Sequence, residues 1–324
     1  MADVTAAGNS VILSSGESSV KTLIAIDGST EAKTALRTAS RLLRKQDNEV
    51  FVLCVAPEFS GPTSGEEPDA RRKRVRLAYQ RRIVKETEVI LEEARQILAA
   101  EGIEASTITE FGSPAKTILH LSAECDVTVV GATGRRDQSK PGIGPVASRV
   151  AEHGTGLVLV ARELSSENNW RVLLAVDSSA SSSQALRAIT RYFDPNSLEV
   201  TVMSVVETPW VHFGFGRKVS DYPGDVFDKA DPEIQMELGM EREAARVVES
   251  AERQLDGYVL GLKSIIREGN PGTEILGEAE TGDYDLIVLG AAGSSDFKHR
   301  MLGSVSAKIT SQAPCSVAVV KFEE

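Results

Sequence analysis

The sequence lacks any apolar run long enough to cross a membrane and any recognisable export signal. Its 324 residues are 41% hydrophobic, but no stretch approaches the roughly 20 consecutive apolar residues that a spanning helix needs. The start, Met1 to Ser19, has neither the charged nor the apolar region of a signal peptide. We therefore expect a soluble, cytoplasmic protein without a membrane partner.

Cysteine and positive charge are also scarce. The three cysteines, Cys54, Cys125 and Cys315, lie in or beside apolar stretches and lack the spacing of a metal site. This pattern favours buried free thiols over disulfides or zinc ligands. The net charge of -11 argues against general affinity for nucleic acid. We expect no metal held by protein ligands alone and no nucleic-acid partner.

Common catalytic motifs are missing as well. No Gly-x4-Gly-Lys-Ser/Thr phosphate loop occurs, and the four histidines show no ligand spacing and no Gly-x-Ser-x-Gly partner. No catalytic residue is therefore predicted.

A glycine loop after an apolar strand is the most informative feature that is present. The strand Asp285 to Leu289 leads into Gly290-Ala291-Ala292-Gly293, and nine residues later Gly303-Ser304 opens a helical pattern. Glycine lets backbone N–H groups approach a ligand closely, and the start of a helix adds unpaired N–H donors with a positive dipole end. The spacing G-x2-G-x9-G-S predicts a phosphate-binding loop.

The first half of the chain repeats this spacing with one change. Gly131 and Gly134 follow an apolar strand, and Gly144-Pro145 stands where the second half has Gly-Ser. A second matched pair lies upstream, where Asp27 and Asp177 each end an apolar strand. A repeat of this length indicates a duplicated domain.

Each half alternates apolar strands with amphipathic helices, which is typical of a buried parallel sheet with right-handed crossovers. An Asp ending the first strand can meet a loop ending the fourth only if those strands are neighbours, and ligands bind at that edge. We predict an α/β protein of two tandem flavodoxin/Rossmann-like domains, each with a five-stranded parallel sheet in the order 3-2-1-4-5 and helices on both faces. The expected ranges are a flexible arm at 1–19, the first domain at 20–162 and the second domain at 169–324.

With these features the chain resembles the tandem members of the universal stress protein family. The likeness spans about residues 20–324 and includes Gly269-Asn270-Pro271 and the closing strand Ser316 to Val320. In the ATP-binding branch of that family the glycine loop holds the phosphates, while the early Asp and a Val ending the second strand lie near ribose and adenine. The resemblance implies that the second domain binds ATP, with Mg²⁺ neutralising the triphosphate. The implied site residues are Asp177, Val205, Gly290, Gly293, Gly303, Ser304, Val305 and Ser306.

The first domain departs from the family pattern at Pro145. Proline offers neither an N–H nor a hydroxyl, and each charge-assisted hydrogen bond lost costs roughly 1.5–3 kcal/mol. We expect this domain to bind ATP poorly or not at all. The rest of its pocket leaves room for another ligand at Asp27, Val55, Gly131, Gly134 and Gly144.

The resemblance favours a stress-response module that binds adenine nucleotide. We also expect a homodimer of two-domain chains, since the last strands, Val158 to Val160 and Val317 to Val320, are apolar edges that would otherwise invite aggregation. Two alternatives stay open. One is a slow ATPase or phosphotransferase, for which Lys298, His299 and Arg300 could supply charge although no base or water-positioning residue is marked. The other is an interaction scaffold whose sites are vestigial.

Three local features complete the expectations. Ser29 and Ser179 each precede a helical pattern and are predicted to be N-caps. The basic strip Arg71 to Arg82 is expected to be the solvated face of a long helix paired with its own later glutamates, with a docking strip for an acidic partner as the alternative. The aromatic segment Trp210 to Phe227 is expected to cover the core, with a lid or dimer contact as the alternative.

Overall fold

The chain forms two compact units, Met1–Glu163 and Leu164–Glu324, in a computed structural model. The described residues are 19–58, 69–134, 142–163, 169–207, 232–293 and 302–321. The predicted arm lies outside them except for Ser19. None of the helices in these ranges is long and apolar enough to cross a membrane.

Strands and helices alternate in both units. The described elements of the first unit are β1 (Val20–Ile26), α1 (Thr30–Leu42), β2 (Asn48–Ala56), α2 (Asp69–Ala100), β3 (Ala105–Phe111), α3 (Pro114–Ser122), β4 (Val127–Gly131), α4 (Pro145–His153) and β5 (Gly156–Ala161). Those of the second unit are β6 (Trp170–Ala175), α5 (Ala180–Tyr192), a 3₁₀ turn (Pro195–Ser197), β7 (Leu198–Val206), α6 (Pro232–Leu255), β8 (Gly261–Glu268), α7 (Pro271–Thr281), β9 (Leu286–Gly290), α8 (Ser304–Gln312) and β10 (Ser316–Lys321).

The strand order confirms the predicted topology in each unit. The first unit runs β3-β2-β1-β4-β5 and the second runs β8-β7-β6-β9-β10, and these neighbours pair in parallel. In the first unit α1 packs with α2 and α3 with α4, as expected for helix layers on the two faces of a parallel sheet. The central strands are buried on both sides, so that Leu23, Val129, Leu173 and Val288 expose none of their surface.

An aspartate fixes the register of the two central strands in each unit. The Asp126 carboxylate accepts a hydrogen bond from the Lys21 N–H at 3.0 Å, and the Asp285 carboxylate accepts one from the Arg171 N–H at 3.0 Å. The backbone N–H groups of both aspartates return bonds to the carbonyls of the same partners, at 3.0 and 2.9 Å. We call each pair of bonds a clamp. It joins β1 to β4, or β6 to β9, at the end of the strands remote from the glycine loop, and it fixes how the two strands are aligned.

The structure confirms two local expectations, the serine caps and the buried cysteines. The hydroxyls of Ser29 and Ser179 cap α1 and α5 by accepting from backbone N–H groups at 3.1 Å. The three cysteines are free and buried.

The basic strip lies on an exposed part of α2. Its described cations are exposed, and Arg82 Nε donates to Glu86 Oε1 at 2.9 Å, one turn further along the helix. The side chains of Arg71 and Arg72 and the whole segment Trp210 to Phe227 lie outside the described residues.

Candidate functional site

The second unit places Asp177 at the carboxyl edge of its sheet. The preceding Val176 is buried and donates its N–H to the carbonyl of Met203 in β7 at 2.8 Å. Asp177 itself is exposed, and its Oδ1 accepts from the N–H and the hydroxyl of Ser179 at 3.0 and 2.5 Å. Its backbone N–H donates to Ser182 Oγ at 3.0 Å. The turn into α5 therefore holds one carboxylate oxygen, and this fixes the direction of the other.

That other oxygen, Oδ2, points at the glycine loop. A Cβ atom added to Gly293 would lie 3.4 Å from Asp177 Oδ2. The acid after β6 and the loop after β9 thus meet, as the neighbouring positions of these strands require.

Packing within the protein explains the glycine at 290. An added Cβ there would lie 2.6 Å from the carbonyl carbon and 2.7 Å from the carbonyl oxygen of Ser181 in the first turn of α5. The Gly290 carbonyl in turn accepts from the hydroxyl of Ser306 at 2.8 Å. Gly290 lets α5 approach β9, and the buried Ser306 hydroxyl ties α8 to the same strand, which leaves only the Ser306 backbone N–H for a ligand.

The start of α8 faces the same edge without a side-chain cap. Gly303 is its N-cap residue, and the Gly303 N–H donates to the carbonyl of Ala291 at 2.8 Å. The N–H groups of the first helical turn have no acceptor within the helix, and the helix dipole makes this end positive. Ser304 is exposed, and the half-buried Val305 and Val205 pack against one apolar core cluster. The arrangement offers backbone donors to an anion beside an apolar surface.

Two contacts of the loop were not predicted from the sequence. The Ser181 hydroxyl donates to the carbonyl of Ala292, and the Ser179 hydroxyl lies 3.5 Å from the same oxygen. The serine run at the start of α5 is visible in the sequence, but its contact with the loop depends on the fold. Lys298, His299 and Arg300, suggested as sources of charge, lie outside the described residues.

In the first unit the aspartate and the glycine loop approach each other more closely than in the second unit. Asp27 Oδ1 accepts from the Ser29 N–H at 2.9 Å, and Asp27 Oδ2 lies 2.8 Å from the position of a Cβ on Gly134. Gly131 is required by packing, since its Cβ would lie 2.9 Å from the backbone of Glu31. At the start of α4 the Gly144 N–H donates to the Ala132 carbonyl at 2.7 Å, and Pro145 occupies the first helical position.

A cavity of about 600 Å³ opens at this edge of the first unit, and all five residues predicted there line it. Its wall also includes a row on α2 that was not predicted: Ile83, Glu86, Thr87 and Ile90. The spacing of Ile83, Thr87 and Ile90 at single helical turns was a visible signal that these side chains share a face.

Three comparisons relate the chain to known proteins. The sequence model of the Universal stress protein family matches residues 20–162 and again 169–321. A universal stress protein of Bacillus subtilis is 27% identical over 151 residues, which cover 47% of this chain and 98% of that protein. A universal stress protein of Mycolicibacterium smegmatis is 23% identical over 314 residues, which cover 92% of this chain and 96% of that protein.

A solved structure shares the fold over nearly the whole length. The crystal structure of a universal stress protein from Archaeoglobus fulgidus superposes with a TM-score of 0.58 at 18% identity, over 94% of this chain and 97% of that one. The two-unit architecture is therefore found in another protein of this kind.

Proposed function

Because this chain belongs to the universal stress protein family, we propose that its second unit binds ATP between the carboxyl edge of its sheet and the start of α8. The proposal rests above all on the approach of Asp177 Oδ2 to the Gly293 position, 3.4 Å from an added Cβ, next to a helix start that no side chain caps. An acceptor for ribose hydroxyls and a set of donors for phosphate thus lie on one edge.

Each predicted residue has a role in this proposal. Asp177 accepts from the ribose, and Val205 packs against the adenine. The backbone N–H groups of Ser304, Val305 and Ser306 and the Ser304 hydroxyl donate to the phosphates. Gly290, Gly293 and Gly303 shape the loop, and Mg²⁺ neutralises the triphosphate charge.

We further propose a binding module that acts through shape or assembly, as a homodimer, in a stress response. The stress role follows the name that the relatives share. Donors that bind ground state and transition state equally do not accelerate chemistry. Phosphoryl transfer needs a group that orients the nucleophile, and we assign none to the described residues of this edge.

Two variants at one position test the proposal. Ser304→Ala removes the hydroxyl, whereas Ser304→Pro also removes the backbone N–H while keeping a residue that helices accept at their first position. We expect the ATP affinity to fall about tenfold in the first and a further tenfold in the second, because each lost charge-assisted bond costs roughly 1.5–3 kcal/mol. Equilibrium dialysis with labelled ATP and Mg²⁺ measures this.

Ser311→Ala, at the other end of α8, is the matched control and should bind ATP normally. Unchanged affinity in Ser304→Pro would contradict the proposed site. Absence of ATP binding by the unaltered chain would favour the scaffold alternative.

A further inference from the structure

The cavity of the first unit has the size and walls of a small-molecule site. Its volume of about 600 Å³ falls within the roughly 300–1,000 Å³ that ligand pockets occupy. Aliphatic side chains from both the sheet and α2 form most of the wall, among them Ile26, Val55, Ile83 and Ile90. Such walls fit an apolar ring system.

The charges on this wall are negative where the structure describes them. The charged side chains among its described lining residues are Asp27 and Glu86, and none is basic. A carboxylate only accepts hydrogen bonds, so the complementary ligand carries hydroxyl or amino donors. Asp27 aligns with Asp177, the proposed ribose acceptor of the second unit, and Glu86 already accepts from Arg82 Nε at 2.9 Å. These carboxylates favour hydroxyl donors in either unit, so the choice between a nucleoside and its triphosphate depends on the donors for phosphate.

The donors for phosphate are fewer here than in the second unit. The Gly144 N–H is occupied by the Ala132 carbonyl at 2.7 Å, as the Gly303 N–H is by the Ala291 carbonyl at 2.8 Å, so the difference is Pro145, which has no N–H at the first position of α4. The first turn of α4 therefore offers a ligand the N–H groups of Val146 and Ala147, without a serine hydroxyl. The aligned positions of the second unit offer the Ser304 N–H and hydroxyl in addition.

We propose that this cavity binds an uncharged molecule of nucleoside size, a planar heteroaromatic ring that carries hydroxyl donors, and that it rejects nucleoside triphosphates. Pro145 is the residue that sets this specificity. The inference concerns a different unit and a different class of ligand from the proposed ATP site, and it stands or falls separately.

Binding of adenosine and of ATP with Mg²⁺ to the full chain, measured by equilibrium dialysis, tests the proposal with matched variants in the two units. Val55→Trp fills the first cavity, and Val205→Trp places the same bulk at the aligned position of the second unit. In the Val205→Trp background, where the adenine position of the second unit is blocked, we expect adenosine still to bind, and adding Val55→Trp should abolish that binding. Ile90→Trp fills the cavity from the α2 side and serves if Val55→Trp does not fold.

The Val205→Trp background isolates the first unit for ATP. There we expect adenosine to bind at least tenfold more tightly than ATP. The first unit lacks the N–H and the hydroxyl that a serine at position 145 would offer the phosphates, and each such charge-assisted bond is worth roughly tenfold in affinity. Adding Pro145→Ser should raise the ATP affinity by about tenfold or more and change the adenosine affinity little.

Two results would overturn the proposal. One is failure of adenosine to bind the unaltered chain at a site sensitive to Val55→Trp or Ile90→Trp. The other is ATP binding as tight as adenosine in the Val205→Trp background.

Discussion

Asp177 Oδ2 lies 3.4 Å from the place that a Cβ atom of Gly293 would take, and Asp27 Oδ2 lies 2.8 Å from the corresponding place at Gly134. The same acid and loop thus approach each other in both units, because the first and fourth strands are neighbours in each sheet. The two units share this geometry and differ in what the following helix offers. Ser304 opens α8, and Pro145 opens α4.

Replacing Gly290 with alanine should destabilise the second unit. The added Cβ would lie 2.6 Å from the Ser181 backbone, so either α5 or β9 must shift, and such overpacking costs about 1–3 kcal/mol. Urea unfolding measures the change.

Gly277→Ala is the control for Gly290→Ala, because it adds the same methyl group within α7, where no atom lies within 4 Å. It should stabilise the protein by about 0.5–1 kcal/mol. If both variants unfold at the same urea concentration, close approach of α5 is not the reason for glycine at 290.

Loss of the Asp285 carboxylate should also destabilise the second unit. This side chain is 2% exposed and accepts from the Arg171 N–H at 3.0 Å, so Asp285→Ala removes a charge-assisted bond worth about 1.5–3 kcal/mol. The side chain of the nearby Asp283 is 81% exposed, and its Oδ2 lies 3.6 Å from Nη1 of the Arg171 side chain. Asp283→Asn should therefore cost less than about 1 kcal/mol. If Asp285→Ala and Asp283→Asn lower the thermal stability equally, the hydrogen bond from the Arg171 N–H to Asp285 contributes no more than a surface charge does.

Cys125 should resist thiol reagents in the folded protein. Burial raises the pKa of its thiol to about 12, so that at pH 8 almost none of the reactive thiolate is present. Labelling with iodoacetamide, followed by peptide mass spectrometry, should modify Cys125 at least tenfold more slowly in the native chain than in urea. Rapid native labelling at pH 8 would mean that this thiol is neither buried nor shifted.

Turnover of bound ATP should be slow. We expect a half-life of minutes in a single-turnover assay with labelled ATP, well below the roughly 1–100 s⁻¹ of kinases. Phosphate release within about a second, lost on replacing Lys298 or Arg300, would instead make the chain an enzyme.

The sequence predicted those features that depend on local pattern. The aspartate that ends the first strand indicated that the first and fourth strands are neighbours, because only then can Asp177 reach Gly293, and the flavodoxin-like order 3-2-1-4-5 supplies that adjacency. Ser29 and Ser179 were identified as caps because a serine before a helical pattern satisfies an N–H of the first turn.

Features that depend on approach through space were not predictable in this way. The sequence assigned Gly290 and Ser306 to the nucleotide site. It did not reveal that α5 packs against Gly290 or that the Ser306 hydroxyl donates to the Gly290 carbonyl. The α2 wall of the first cavity was missed for the same reason, since the distance from Ile83 and Ile90 to the strand ends depends on how the helix packs.

A crystal structure of the chain grown with ATP and Mg²⁺ tests the central claim most directly. We predict density for the triphosphate at the start of α8, with phosphate oxygens about 3 Å from the Ser304 N–H and hydroxyl and the ribose beside Asp177. Triphosphate density in the cavity of the first unit, with none at the start of α8, would contradict the account.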